Sequence, residues 1–280
     1  MGNANHSRQL IGIFDSGVGG LSVLQEISRC MPSVPLYYLA DQAHVPYGSR
    51  SLEEIRQFSL AIAHFLIHHG AQMIVVACNT ASAAALKELR EAFPGIPFVG
   101  MEPAVKPATQ RTHNGIVGVL ATPATFQGRM YNTLIERFAG NVRVLTNTLP
   151  GLVEAIEIGE LDSSRTRHII ASAIQPMIAQ GADTIVLGCT HYPFVLPLIR
   201  EIAGPSIEVI NPAPAIAHRV QFLITEHGLH FDEVNGEIHF ATTGSAPTFA
   251  LMIKNLLGCE ASATQLRWSA DEKKIVETRN

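Results

Sequence analysis

Two cysteines constrain this chain more than any other feature. Val75-Val76-Ala77-Cys78-Asn79-Thr80-Ala81-Ser82 reads as a buried strand that ends in a cysteine and turns at once into a helix. Ile185-Val186-Leu187-Gly188-Cys189-Thr190-His191-Tyr192 repeats the plan: an apolar run, a small residue, a cysteine, then polar residues at a helix start. Two thiols in equivalent settings, more than a third of the chain apart, imply two similar halves that share one site.

The rest of the chain fits that duplication. Residues 10–14 read as a strand closed by the glycine turn Asp15-Ser16-Gly17-Val18-Gly19-Gly20, with a helix over 21–29. A strand at 36–39 follows, then a loop carrying Val45-Pro46-Tyr47-Gly48-Ser49 and a helix capped by Ser51, with Glu53 and Glu54 in its first turn and Gly70 at its end. Strands are expected at 73–77 and 98–100, with a helix at 81–93. The pattern then restarts: a strand at 115–120, a helix from the Thr122-Pro123-Ala124-Thr125 turn to 138, and a strand at 142–145. Helices at 151–159 and 163–180, a strand at 184–187, a helix from Pro193 and a strand at 207–210 complete it. A helix at 215–226, a strand at 236–242 and a helix at 246–257 come last. Gly12 corresponds to Gly118, Cys78 to Cys189 and Pro103-Ala104 to Pro212-Ala213, at nearly constant offset.

Strands alternating with helices predict parallel sheets covered on both faces. The expected fold class is α/β: two pseudo-symmetric three-layer lobes with mainly parallel sheets and the active site between them. The crossings fall near 103 and 212, so the first lobe is residues 1–103 plus 213–280 and the second is 104–212. In such sheets ligands bind at the carboxyl ends of the strands, where Asp15, Asp41, Cys78, Thr122 and Cys189 all fall.

Bulk properties narrow the partners. Of 280 residues 47% are hydrophobic and 16% charged, which predicts a well-filled core. A net charge of −4 without a Lys/Arg run argues against a nucleic-acid partner. The apolar runs are strand-sized, so no membrane span is expected, and residues 1–9 lack the apolar region of a secretory signal and read as a disordered tail. Cys30, Cys78, Cys189 and Cys259 are too few and scattered for a disulfide framework, which points to a reduced, cytoplasmic setting.

A thiol at a helix start sees free backbone N–H groups and the positive end of the helix dipole, which favour thiolate. One such thiol suits a nucleophile. Two in mirrored halves suit a symmetric task, removal of a proton from one face of a carbon and delivery to the other. A buried cysteine is equally a small core residue, and Cys30 and Cys259, which lack the repeated setting, are read that way. The glycine turn precedes a helix without a P-loop lysine or a GxGxxG pattern, so a carboxylate suits it better than a triphosphate. Asp15 can hold an ammonium group or assist a cysteine, and His191 is a candidate acid–base assistant to Cys189. His64, His68 and His69 contain a metal-like spacing but no further ligand in register, so no metal is expected. Lys106 lacks a phosphate cup for a pyridoxal Schiff base, so no cofactor is expected either.

Together the glycine turn, Pro46-Tyr47-Gly48, Ala77-Cys78-Asn79-Thr80-Ala81-Ser82, Glu102-Pro103-Ala104 and Gly188-Cys189-Thr190-His191-Tyr192-Pro193 resemble the bacterial glutamate racemases of the aspartate/glutamate racemase family. The likeness runs from about residue 10 to 257. It implies cofactor-independent interconversion of L- and D-glutamate for peptidoglycan, with Cys78 and Cys189 as the proton donor and acceptor. It implies that Asp15, Ser16, Tyr47, Gly48, Asn79, Thr80, Thr190 and His191 bind the amino acid. Contacts around Tyr47, Thr122 and Thr125 would separate glutamate from the substrates of aspartate or hydantoin racemases. Asp15 is the expected assistant on the Cys78 side, Glu154 and His191 on the Cys189 side. A homodimer is implied as well. Some members bind a cell-wall precursor as activator through an N-terminal extension, and the short tail here speaks against that. The chain departs from the family's usual residues at Asn211, Leu149 and Gly128. The rival reading from another class is a module that captures an acidic amino acid without turnover.

Overall fold

The computed structural model describes residues 9–102, 104–127, 129–231 and 236–278, with backbone alone for Arg129 and Met130. Residues 1–8 of the N-terminal tail, Pro103 and Gly128 lie outside these residues. In chain order come β1 (Leu10–Asp15), α1 (Leu21–Cys30), β2 (Leu36–Ala40), α2 (Leu52–His68), β3 (Ala71–Val76), α3 (Asn79–Ala92), β4 (Phe98–Gly100) and α4 (Val105–Arg111). Next are β5 (Ile116–Ala121), α5 (Pro123–Gln127), α6 (Arg129–Phe138), β6 (Arg143–Asn147), α7 (Leu152–Glu157), α8 (Ser164–Ala179), β7 (Thr184–Gly188), α9 (Leu196–Ala203) and β8 (Glu208–Ile210). The chain finishes with α10 (Ala213–Glu226), β9 (Ile238–Thr242), α11 (Ala246–Leu257), β10 (Ala263–Trp268) and β11 (Ile275–Glu277). Short 3-10 turns span Tyr47–Ser49 and Tyr192–Val195.

Local chemistry accounts for the element ends. Ser51 accepts from the Glu54 N–H while the Glu54 carboxylate takes the Ser51 N–H, a reciprocal cap at the start of α2. Gly70, at φ 94°, stops that helix in a conformation that costs other residues a steric penalty. Strands β1, β2 and β7 are buried along their whole length, which their unbroken apolar runs anticipate for parallel strands covered on both faces. Edge strand β6 carries Arg143 and Thr146 exposed.

The described strands form two sheets, ordered β11-β10-β9-β2-β1-β3-β4 and β6-β5-β7-β8. All pairings are parallel except β10 with β11. The run β2-β1-β3-β4 repeats as β6-β5-β7-β8, so each cysteine follows the strand beside the central one. The register repeats too. Gly12 pairs with Ile74, four residues before Cys78, and Gly118 pairs with Ile185, four residues before Cys189. Both glycines mark the close approach of a helix. A Cβ on Gly12 would stand 3.1–3.2 Å from Ala71 and from Leu66 of α2, and one on Gly118 would stand 2.8 Å from Met177 Sδ of α8.

One buried cluster runs through both sheets, from Ile11, Ile13 and Leu24 through Leu152 and Ile156 to Ile185 and Leu187. Each such side chain contributes about 1.5–3 kcal/mol when buried, so the two sheets share a core rather than meeting at a wet seam. α10 returns the chain to the first sheet and packs on α1.

Four features differ from the sequence expectation. The helix expected up to 138 comes as two pieces, α5 and α6, and the helix expected from 193 begins as a 3-10 turn before α9. α4 is unexpected because Pro107 sits in it, but a proline in a first turn has no earlier carbonyl to lose. The hairpin β10–β11 is unexpected because its short strands bury little more than Leu266 and Ile275, leaving no apolar run to see. Among the described residues no helix is long and apolar enough to cross a membrane.

The glycine contacts predict that Gly12→Val costs about 1–3 kcal/mol by overpacking. Gly118→Val is expected to cost less, because a methionine sulfur yields more easily than the Ala71 and Leu66 β-carbons. Urea midpoints of the two variants, compared with wild type, test both the size and the order.

Candidate active site

The carboxyl ends of the two sheets meet at a narrow cavity of about 20 Å³. Ser16, Pro46, Tyr47, Gly48, Cys78, Asn79 and Thr80 line it from the first sheet, and Thr122, Val153, Cys189, Thr190 and His191 from the second. Thus the cavity gathers nearly every candidate named from the sequence. Asp15 lies buried behind it, and Thr125 is buried beside Thr122. Glu154 does not join them.

Two cross-lobe contacts mirror each other. Asp15, which ends β1, accepts from the Thr190 hydroxyl beside Cys189 at 2.9 Å. Thr122, which follows β5, meets the Thr80 hydroxyl beyond Cys78 at 2.9 Å, and Thr125 joins the same group. The end of each central strand therefore touches the cysteine segment of the opposite lobe.

The sulfur environments, by contrast, are not equivalent. Cys78 caps α3: its sulfur accepts from the Ala81 N–H at 3.4 Å. The thiol donates towards Ser16 Oγ at 3.9 Å, and Ser16 reaches Asp15 Oδ1 at 3.4 Å. Burial raises the Cys78 pKa above its ordinary value, the Asp15 charge adds to the rise, and the Ala81 N–H opposes it. Burial outweighs the helix terminus, so Cys78 rests as a thiol.

Cys189 precedes a 3-10 turn rather than an α-helix, so it lacks the helix terminus expected from the sequence. Its sulfur lies 3.8 Å from His191 Nδ1 instead. His191 Nε2 in turn lies 2.6 Å from Glu157 Oε1. Burial opposes a charge on His191, but its hydrogen bonds to Cys189 and Glu157 prevail and its pKa lies well above the ordinary value. Glu157 stays ionised: burial raises its pKa, but the hydrogen bond and charge of His191 and the Val18 N–H more than offset that. The Cys189 sulfur thus faces an imidazolium held by a carboxylate.

Glu157, not Glu154, is the carboxylate that meets His191. Val153 faces the cavity, and on a helix the residue four positions on shares that face. Glu154 is rotated about 100° away and is exposed. The helical period of α7 was the available signal for Glu157. The glycine turn is explained by the same residue. Val18 N–H donates to Glu157 Oε1 at 2.7 Å, so the turn does hold a carboxylate, and it is the chain's own. A Cβ on Gly17 would collide with the Glu157 carboxylate, and one on Gly19 with the His191 ring and, at 2.7 Å, with Thr190 Oγ1. Bare backbone is what lets the acid–base pair of one lobe seat on the other.

Asp15 is also perturbed. Burial lifts its pKa from 3.8 to about 6, although the His191 charge and hydrogen bonds from Gly17 N–H and Thr190 pull it down. Asn79 carries a different signal: its side-chain nitrogen and oxygen are both buried without a partner among the described residues, beside the cavity. Tyr47 donates to the buried Asp41 carboxylate at 2.6 Å. That carboxylate also accepts from Thr243 at 2.7 Å and from the Trp268 indole at 2.7 Å, and faces His44 Nδ1 at 2.9 Å. Asp41 stood at a strand end in the sequence, but its partners 200 residues away did not.

His64 and His68 lie exposed on α2, and His69 bonds to the Phe65 carbonyl and Glu277. Lys106 is exposed, its ammonium over the Phe138 ring. Among the described residues no three His, Cys, Asp or Glu side chains gather as a metal site.

A two-lobed, mainly parallel α/β fold with one cysteine from each lobe in a shared cavity defines the class of protein. The Asp/Glu/Hydantoin racemase family model matches residues 11–220, and the chain belongs to that family of isomerases. The glutamate racemase of Roseiflexus sp. (strain RS-1) is 51% identical over 260 residues, which cover 92% of this chain and 96% of that protein. The crystal structure of glutamate racemase isoform RacE1 from Bacillus anthracis matches with TM-score 0.85 at 33% identity, covering 93% of this chain and 98% of that one. The glutamate racemase of Francisella tularensis, solved in complex with D-glutamate, matches with TM-score 0.80 at 28% identity over 92% of this chain and 97% of that one.

Two outcomes follow from the site's electrostatics. Glu157→Gln is expected to lower kcat/KM about 100-fold, and Glu154→Gln to leave it within about twofold. Comparable losses in the two would return Glu154 to the site. Asp15 binds its proton more tightly folded than unfolded, so its stabilising contribution is complete below pH 3.8 and is lost as pH rises through about 6. Asp15→Asn is therefore expected to raise stability at pH 7.5 by about 1–3 kcal/mol, with the gain vanishing near pH 4. Urea unfolding of both proteins at the two pH values reads the difference.

Proposed function

We propose that the chain interconverts L- and D-glutamate by a cofactor-independent 1,1-proton transfer between Cys78 and Cys189. The observation that carries this reading is that both sulfurs, at matched strand ends of two opposed lobes, line one cavity. The glutamate racemases among its relatives support the choice of substrate. One sulfur, as thiolate, takes the Cα proton and becomes a thiol. The other, as thiol, gives its proton to the opposite face and becomes a thiolate, so charge and protons balance within the pair.

The resting asymmetry suggests where the base starts. Cys78 is held as a thiol by burial, while the Cys189 sulfur lies against the His191 imidazolium, so the proposal starts with Cys189 as the base. After one turnover the roles are exchanged. Asp15, with a pKa of about 6 and linked to Cys78 through Ser16, can return the Cys78 side to its resting state. An α-proton beside a carboxylate is weakly acidic, so the charge that develops needs donors already in position. Asn79, with a free donor and acceptor beside the cavity, and the Thr80 hydroxyl, which can turn from Thr122 and Thr125, supply them. Tyr47, Gly48, Thr122 and Thr125 surround the remaining space for the substrate side chain. A homodimer working in the cytoplasm and supplying D-glutamate to peptidoglycan completes the proposal, and it rests on the family resemblance alone.

Incubation with L-glutamate in D₂O tests the reaction. Deuterium should enter Cα as D-glutamate accumulates. Exchange with aspartate or a hydantoin but not glutamate would redirect the substrate, and no exchange with any of them would leave only a binding module. Cys78→Ala and Cys189→Ala should each lower racemisation by at least about 1,000-fold, and a fully active single variant would sink the two-thiol mechanism.

A further inference from the structure

Gln42, directly after Asp41 beyond the end of β2, takes no part in the chemistry described so far. Its half-buried side chain joins β9 to the acid–base pair of the second lobe. The Thr242 hydroxyl accepts from the Gly244 N–H at 2.9 Å and gives its own proton to Gln42 Oε1 at 2.8 Å. That orients the amide. Its Nε2 turns towards Glu157 Oε2 at 3.2 Å, where an ionised carboxylate can only accept. The stem is confined as well, since a Cβ on Gly244 would come within 2.7 Å of Gln42 Cβ.

We propose that Gln42 is a positioning residue for the racemisation: by holding Glu157 Oε2 from the first lobe, it keeps Oε1 on His191 and thereby sets the imidazole against the Cys189 sulfur. The inference rests on the reading of Cys189 as one of the two acid–base groups. Glu157 comes from a helix of six residues, and its Oε1 must serve both Val18 N–H and His191 Nε2. With Oε2 unheld the carboxylate is free to rotate, and Oε1 cannot keep both partners at hydrogen-bonding distance. The charged or titratable groups that face His191 are Cys189 on its own segment, Glu157 from α7 and Asp15 from β1. Gln42 is the one neutral side chain among the described residues that bonds to Glu157.

Gln42→Met keeps the length and bulk of the side chain without its donor. In the full-length enzyme it is expected to lower kcat about tenfold while KM stays within about twofold. The titration midpoint of the His191 imidazole, followed by NMR, should fall in the same variant. Gln42→Glu is the second variant. It sets a like charge against Glu157, so activity should be low at neutral pH and recover towards pH 5–6, where a shared proton restores the hydrogen bond. A loss through folding alone would give neither the pH recovery nor a change in kcat without KM. The proposal is overturned if Gln42→Met keeps the wild-type kcat and His191 titration, or if Gln42→Glu shows the same pH profile as Gln42→Met. Should Cys189→Ala still racemise glutamate, the two-thiol mechanism falls. The His191 titration would then still decide, by shifting or not shifting in Gln42→Met, whether Gln42 holds the Glu157–His191 pair.

Discussion

The buried pair of Glu157 and His191 is the contact on which the site depends. It lies in the seam between the lobes, 2.6 Å across, with one carboxylate oxygen shared between the imidazole and the Val18 N–H. Buried ion pairs add little net stability, because desolvation consumes most of the attraction. Their value is that they are unforgiving about geometry: an unpaired charge in this seam would be costly, so the lobes must meet in one register. The two bare glycines at 17 and 19 make that register accessible, since any side chain there would displace the carboxylate or the ring. Turn, carboxylate and imidazole act as a single fitted part, and Cys189 is set by it.

A duplicated backbone here carries unequal chemistry. Strand order, the helix-facing glycines and the strand-end cross-contacts all repeat between lobes. The electrostatics do not. Cys78 has a helix terminus but is so deeply buried that it remains protonated, while Cys189 lacks the helix terminus and has an imidazolium. Two thiols with identical surroundings would tend to rest in the same protonation state. The proposed transfer from one face of a carbon to the other would need one thiolate and one thiol at the start, and the surroundings of the two sulfurs are unequal.

The C-terminal hairpin extends this support to the far side of the cavity. Trp268 and Thr243 converge on Asp41, which is thereby held to receive the Tyr47 hydroxyl. A segment that buries little apolar surface of its own thus helps hold the tyrosine that lines the cavity. The next residue, Gln42, bonds to Glu157, which holds His191 against the opposite sulfur. One dipeptide at the end of β2 therefore braces both halves of the site.

What sequence alone determined was the periodic and the chemical: alternating strands and helices, the duplication, the strand-end cysteines and the polar residues that follow them. These are local patterns, visible because buried parallel strands need unbroken apolar runs and because the glycines repeat in register. Asp15, Ser16, Asn79, Thr80, Thr190 and His191 were legible for that reason, each adjacent to a strand end. Glu157 was not, because the choice between it and Glu154 depends on which face of a six-residue helix meets the cavity. Asp41 was legible as a strand-end polar residue but not as a brace, and Gln42 was not legible at all, since their partners lie 115 to 227 positions away. Tertiary structure alone decided the state of the Cys78 thiol and of the Glu157–His191 pair beside Cys189. Protonation depends on burial and on the nearest charge, and those are properties of the packed interior that no stretch of sequence contains.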